Sequence, residues 1–513
     1  MLISLLAFAA LAAAQSVTIL QQALSASGVA ASYPSSGNYS AESQAFNQRF
    51  TVMPIAIAFP TSVQQVSAAV KAGAAQSLEI VARSGGHSYI ANGLGGNNGA
   101  LVIDLSKMKT ISVRASNGTA LIQTGNRLGD IALALNAAGR ALPHGTCSFV
   151  GIGGHSGYGG FGFTSRAWGL TLDTVKSATV VLANGTIATA SPNSNSDLYW
   201  AIRGASPSFG IVTSVEVQTF AAPPAVTVFA YNWDSLNISS ASAAISAFQT
   251  LSKANISAAF GGELNFGPGP SSSHVSLELT GGFYGPTADF NSNALPIINT
   301  FLKALPKVSS STVTRDMTYI NSVAHFAGSD PLNTTTATET RDTFYTKSLM
   351  TPQGSPMSPA AIKAFVSYMA NQGFSSDTAW FVQLELYGGT NSAINAVPLD
   401  STAFSKRDTL FTIQLYASSS NGSPPYPSDG FSFLDGMVAT IISNSPANWS
   451  YGAYLNYADD RLVNGLSDSN SLSRANLMLS TASTLYYGSH YPRLKALKAA
   501  LDPNDLFRFP IGV

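Results

Sequence analysis

The chain has 513 residues, of which 45% are hydrophobic, 10% aromatic and only 10% charged. Its 26 basic and 26 acidic side chains cancel to a net charge of zero, which excludes a general nucleic-acid binder, because such proteins present a basic face. The low charge and the aromatic content also exclude a disordered chain, and at roughly 100–200 residues per domain the length suits two to four domains, or two large ones.

Residues 2–11 are apolar, and Ala12-Ala13-Ala14 offers an A-x-A cleavage site before Gln15, so residues 1–14 read as a signal peptide. Asn-x-Ser/Thr sequons at Asn38, Asn117, Asn184, Asn237, Asn255, Asn333, Asn421 and Asn448 point the same way, to a secreted, extracellular glycoprotein. No other apolar run reaches the ~20 residues of a membrane helix, so no membrane partner is expected. Residues 61–75 read as a helix, with Val63, Val66 and Val70 at helical spacing and Thr61 and Gln64 as a capping box. Residues 78–82 form a short strand that ends in Arg83-Ser84-Gly85-Gly86-His87-Ser88. Residues 100–104 and 120–123 are further strands, and 127–138 a helix with Leu128, Ile131 and Leu135 on one face. Residues 178–183 and 186–190 flank Asn184-Gly185, a hairpin signal. Pro223-Pro224 marks a boundary. Beyond it come strand-like runs at 275–279, 380–386 and 410–416, with helical stretches at 360–369 and 433–442. The chain closes with a helical pattern on Leu494, Leu497 and Leu501, followed by Asp502-Pro503-Asn504-Asp505. The fold class is α+β.

A single cysteine, Cys147, excludes an intrachain disulfide. In a secreted chain a leftover cysteine flags a reactive or covalently used thiol; the alternative is an inert buried one. Its setting, Pro143-His144-Gly145-Thr146-Cys147 followed by the glycine-dense residues 151–162, favours backbone approaching something closely. The turn at 83–88 offers successive N–H groups as a nest for an anion, with Arg83 adding charge and Ser88 a hydroxyl. The natural guest is a phosphate or pyrophosphate. The turn lacks the G-x-G-x-x-G pattern of a nicotinamide Rossmann site. Six His and one Cys give no zinc spacing, so no metal is expected.

Gly85-Gly86-His87-Ser88 and His144-Gly145-Thr146-Cys147, with Gly151-Ile152-Gly153-Gly154-His155 and Gly159-Gly160-Phe161-Gly162 after them, resemble the vanillyl-alcohol-oxidase/PCMH flavoproteins. Within these they resemble the berberine-bridge-enzyme-like branch, and most of all its fungal gluco- and chito-oligosaccharide oxidases. Trp168-Gly169-Leu170-Thr171-Leu172-Asp173, Trp200-Ala201-Ile202-Arg203-Gly204 and Asp502-Pro503-Asn504-Asp505-Leu506-Phe507 extend the resemblance over almost the whole mature chain. It implies an FAD-binding domain split between residues 15–222 and 455–513, with 223–454 forming a substrate domain on a large antiparallel sheet. It implies FAD bonded twice, His87 to the flavin 8α-methyl and Cys147 to C6. Arg83, Ser84, Gly85, Gly86 and Ser88, then Gly151, Gly154, His155, Gly157, Gly162 and Val212, are the other residues expected to hold the cofactor.

Tyr454-Leu455-Asn456-Tyr457 resembles the oligosaccharide oxidases' Y-x-N-Y segment, whose second tyrosine is the catalytic base; here that is Tyr457. Phe381-Val382-Gln383-Leu384-Glu385 resembles their W-x-Q-x-D strand but departs from it twice, with Phe381 for Trp and Glu385 for Asp. Gln383, Glu385 and Tyr387 share a face by the two-residue period, and Gln414 matches a substrate-binding Gln. Tyr89, Phe381 and Tyr454 suit stacking on sugar faces. The implied reaction takes the proton of a sugar C1 hydroxyl onto Tyr457, with help from Glu385, as the C1 hydride passes to flavin N5. The 1,5-lactone product is opened by water, and dioxygen or another acceptor removes the electrons. The expected state is a monomer. An alkaloid, phenolic alcohol or secondary metabolite is the alternative substrate within the same family. A sugar-binding or structural glycoprotein is the alternative outside it, disfavoured by the intact His87, Cys147 and Tyr457.

Overall fold

The computed structural model describes residues 17–464 and 482–513, so the expected signal peptide lies outside the described residues. Two layers meet at a cavity. In the first, strands Ala30–Ser32, Ala56–Phe59, Leu101–Asp104 and Ile80–Arg83 make a four-stranded sheet in that order. Its last three strands are parallel. Beside it lies a five-stranded antiparallel sheet, ordered Ile111–Arg114, Thr119–Gln123, Ile211–Gln218, Val175–Val181, Ile187–Ala190. The last two strands are the hairpin read at Asn184-Gly185.

The helix Val63–Ala74 starts one residue later than the capping pattern suggested. Ser62 is the cap, accepting from the Gln65 N–H, and Gln65 reaches back to the Thr61 N–H. Two adjacent hydroxyl residues gave alternative registers, and the one that buries Val66 and Val70 prevails.

The second layer is a seven-stranded antiparallel sheet, ordered Ser310–Met317, Val226–Asn237, His274–Phe283, Phe260–Pro268, Thr378–Leu386, Thr409–Ser419, Phe344–Pro352. The two-residue period splits its side chains. Leu264, Phe266, Val382, Leu384, Ile413 and Leu415 are buried in one large apolar core with helices Ile238–Lys253, Pro359–Gln372 and Asp429–Ser443. The opposite, polar face looks at the first layer. The helix Tyr491–Leu501 buries Leu494 in the core of residues 90–217, so the end of the chain packs with the beginning.

Several of the sequence motifs prove to be clasps. Arg407 pairs with both oxygens of Asp173, at 2.7 and 3.0 Å, tying Trp168–Asp173 to the seven-stranded side. Arg203 donates to the Ser401 carbonyl at 2.7 Å. Asp502 accepts from the N–H groups of Leu506 and Phe507 and from Lys498. Arg166, only 1% exposed, donates to the carbonyls of Ser257, Phe260, Gly388 and Thr390 at 2.6–3.1 Å. Replacing it strands buried acceptors at about 1–3 kcal/mol each. With four acceptors affected, Arg166→Met is expected to destabilise the fold by about 4 kcal/mol or more. An unchanged thermal midpoint would show that the clasp contributes nothing.

All eight sequon asparagines are exposed, as attachment of a glycan requires.

Candidate active site

The turn after strand Ile80–Arg83 is set by that strand's parallel register, which places Arg83 beside Asp104. Arg83 is consequently committed: its guanidinium pairs with Asp104 and donates to the Glu42 carbonyl. The positive charge expected for an anion is thus already neutralised. Ser88 is committed as well, its oxygen accepting from the Asn92 N–H at 3.0 Å. What remains to a guest is backbone. The N–H groups of Gly86, His87 and Ser88 donate to no other group among the described residues.

Ser84 pins this turn to the second glycine stretch, donating to the Thr124 carbonyl and accepting from the Gly153 N–H. There Gly85 and Gly151 lie back to back, so close that a Cβ on either would run into the other's backbone. This contact is why both positions are glycine. At Gly154 an added Cβ would meet nothing within 4 Å, because Gly154 borders open cavity.

That cavity holds about 410 Å³ in which a water molecule can be centred, within the usual range of ~300–1,000 Å³ for small-molecule sites. Arg83 to Tyr89, Cys147, Gly151, Gly154, His155, Gly162 and Val212 line one part. Phe381, Gln383, Glu385, Gln414, Tyr454 and Tyr457 line another. Of the expected site residues only Gly157 is missing. A Cβ there would come within 3.0 Å of the Ser206 Cβ, so Gly157 packs against Ser206, which itself lines the cavity.

Cys147 is exposed, but the space it sees is the cavity. The surrounding protein, helped by the charge of Asp330, pushes its thiol up to about 11. His155 is buried and pulled down to about 3, by burial first and then by His144. It is therefore neutral at physiological pH and accepts the Gly145 N–H on Nε2 at 3.2 Å, fixing the loop that carries Cys147.

On the facing sheet, register builds the floor. Glu263 is paired across strands with Glu385, Asn265 with Gln383, and Gln383 with Gln414. The Tyr457 hydroxyl donates to Glu385 Oε1 at 2.6 Å, while the buried Oε2 has no hydrogen-bond partner among the described residues. Burial pushes the Tyr457 phenol well above its ordinary range, and the neighbouring Glu385 carboxylate adds to it. Burial likewise pushes Glu385 well up, reinforced by Glu263. Glu263 is itself raised to about 7, mainly by burial.

Tyr89 accepts from Gln414 at 3.1 Å and lies parallel to Tyr457. Phe381, 36% exposed at the mouth, stacks on Tyr416, which stacks on Phe344. The Tyr454 hydroxyl is already engaged by the Gly160 N–H and by Asn456, so Tyr454 acts on the cavity through its ring, set edge-on to Tyr457.

Sequence reasoning missed Glu263, Asn265, Tyr416 and Phe46. For Glu263 and Asn265 a signal existed: polar residues alternating through Phe260-Gly261-Gly262-Glu263-Leu264-Asn265-Phe266.

Comparison with known proteins identifies the cavity. A family model described as FAD binding domain matches residues 54–191, and one described as Berberine and berberine like matches residues 453–513. A chitooligosaccharide oxidase of Gibberella zeae is 38% identical over 93% of this chain and 91% of its own length. The FAD-linked oxidoreductase dpmaF of Metarhizium anisopliae is 36% identical over 91% of this chain and 86% of its own. The chain belongs to the berberine-bridge-enzyme-like family of FAD-linked oxidases. A solved structure of glucooligosaccharide oxidase from Acremonium strictum, studied for its 6-S-cysteinyl, 8α-N1-histidyl FAD, is 34% identical. It superposes with a TM-score of 0.84 over 96% of this chain and 99% of that one, so the fold is the PCMH-type FAD-binding α+β fold.

The residues present suit the FAD of this family. The side-chain-free surface at Gly154 and the unengaged N–H groups of Gly86–Ser88 accommodate a large anionic cofactor. His87 and Cys147 both border the cavity opposite the Tyr457–Glu385 pair.

Proposed function

We propose that this family member is a secreted oligosaccharide oxidase that converts a reducing-end C1 hydroxyl to a lactone, with its FAD held by covalent bonds from His87 and Cys147. The observation that carries this reading is the Tyr457–Glu385 pair, set in a cavity floor of Glu263, Gln383 and Gln414. Such a floor offers several hydrogen-bond partners to a polyhydroxylated substrate. The similarity to chitooligosaccharide and glucooligosaccharide oxidases supports the substrate class, and the cysteinyl, histidyl FAD of the latter supports the two bonds. The aromatic wall of Phe381, Tyr416 and Phe344 favours a second reading, a phenolic or other secondary-metabolite alcohol.

When bound, FAD supplies the two-electron acceptor for the C1 hydride. The protein supplies the proton path. An ordinary tyrosine titrates near ~10, and Tyr457 stands higher still, so it is no base by itself. It becomes one when its own proton moves along the 2.6 Å bond to Glu385 as it takes the proton of the substrate hydroxyl. Ser348, within 3.4 Å of the Tyr457 carbonyl and accepting the Tyr454 N–H, holds the turn Leu455–Tyr457. Lys347 and Tyr345 both bind Asp459, two residues beyond.

In domain terms, residues 15–222 and 455–513 form the FAD-binding unit and 223–454 the substrate unit. The packing of Leu494 with the core of residues 90–217 supports this division. The exposed sequons support secretion; N-glycosidase treatment of the native protein is expected to lower its mass, and an unglycosylated native protein would count against it.

The direct test is a panel of reducing oligosaccharides and apolar alcohols assayed for flavin bleaching and peroxide. Sugars are expected to bleach the flavin, and acid-precipitated protein to stay yellow. Bleaching by alcohols alone would transfer the assignment to the second reading, and free FAD in the acid supernatant would remove the covalent bonds from it.

A further inference from the structure

The irregular segment before strand Phe344–Pro352 carries Glu339 across to the glycine turn. Its Oε1 lies 3.1 Å from His87 Nε2, and its Oε2 lies 3.9 Å from a guanidinium nitrogen of Arg127. Both partners are shielded, with 12% of the His87 side chain and 16% of Glu339 exposed. The buried Oε1 has no hydrogen-bond partner among the described residues, so its contact with Nε2 is an electrostatic one. Phe46 stacks on the imidazole at a centroid distance of 3.7 Å and an interplanar angle of 24°. The His87 ring is thus held by an aromatic plate on one face and an anion at one nitrogen. The proton path through Tyr457 and Glu385 has no use for Glu339.

Which imidazole nitrogen carries the proton is set by the partner of the other. A carboxylate at Nε2 stabilises N–H there, and Nδ1 is left with its lone pair. We propose that Glu339 is a positioning residue for cofactor attachment: it holds an imidazole N–H of His87 at Nε2 and so leaves Nδ1 as the nucleophile that bonds to FAD. The inference rests on the His87 attachment proposed above. The step balances as follows. A bond forms between Nδ1 and the 8α carbon, a C–H bond of that methyl group breaks, and its two electrons pass into the flavin ring. The methyl hydrogen and the imidazole proton leave as protons, and dioxygen takes up both electrons and both protons as hydrogen peroxide. As Nδ1 is alkylated the imidazole becomes cationic, and Glu339 then gains a second cationic partner beside Arg127. Nε2–H can pass its proton to that carboxylate. The carboxylate therefore acts twice, first on the tautomer and then on the developing charge.

Attachment can be read without any turnover. In Cys147→Ala only the His87 bond remains, and FAD is expected to stay with the protein after acid precipitation. Adding Glu339→Gln is expected to lower the acid-stable fraction by about tenfold, the low end of the cost of removing the carboxylate partner of a metal-ligating histidine. Glu339→Asp should restore part of it. Glu339→Gln with Cys147 intact keeps one tether and so guards against loss of the fold. After digestion its Cys147 peptide should carry flavin, while most of its His87 peptide should not. Full modification of the His87 peptide in Glu339→Gln would overturn the role of Glu339 alone. Release of all FAD from Cys147→Ala itself would overturn the two-bond reading, and the inference with it.

Discussion

Tyr457→Phe is expected to slow anaerobic flavin reduction by its best sugar by about 10²–10⁴, the usual worth of general-base help, while leaving FAD attached. The substitution removes one oxygen and with it the 2.6 Å bond to Glu385. The ring survives, and with it the parallel contact to Tyr89 and the edge contact to Tyr454. The loss should thus fall on the reduction rate and spare sugar binding. Wild-type reduction in Tyr457→Phe would mean that another group takes the proton.

The second large effect concerns Glu385 and Glu263. Glu385 must be ionised to receive the Tyr457 proton, and burial beside Glu263 raises the pH at which that happens. The rate of reduction should therefore fall as pH drops through the titration of the pair, whose apparent values belong to both carboxylates together. Glu263 is itself raised to about 7, and the acid limb lies above the ordinary carboxylate range. Glu263→Gln removes the like charge across the strand pair and retains an acceptor for Gln383. It should move the acid limb to lower pH by about one unit or more. Glu385→Gln should abolish that limb and slow reduction at every pH, by less than Tyr457→Phe. An acid limb that moves upward in Glu263→Gln, or stays in place, would remove Glu263 from the pair.

The residues that sequence reasoning reached share a property: their chemistry is written in local context. Glycines that leave no room for a Cβ, around His87 and Cys147, mark the cofactor cradle before any contact is known. The Tyr457–Glu385 pair spans 72 residues, so no periodicity links it; a family resemblance did. What was missed depends on register or on irregular chain. Arg83 reads as a free cation until the parallel pairing sets Asp104 beside it. Gly157 reads like its neighbours, although its missing side chain serves packing against Ser206. Glu263 lies on the alternating strand Phe260–Pro268, but alternation cannot say which face meets a cavity. Glu339 sits outside any helix or strand, where no pattern constrains its direction. The Glu for Asp departure at 385 proved compatible with a short direct bond, since the extra methylene still reaches the phenol.

The most direct measurement is anaerobic flavin bleaching by a matched pair of substrates: a reducing oligosaccharide and the same oligosaccharide with its reducing end converted to the alditol or a methyl glycoside. The methyl glycoside keeps every ring of the first substrate and blocks only its C1 hydroxyl, while the alditol opens the terminal ring and so removes the lactol altogether. Only the first offers a C1 hydroxyl on a carbon that can become a lactone. Rapid bleaching by the first and none by the second is the predicted result. Equal bleaching by both, or bleaching by neither when an apolar alcohol succeeds, would contradict oxidation at the reducing end.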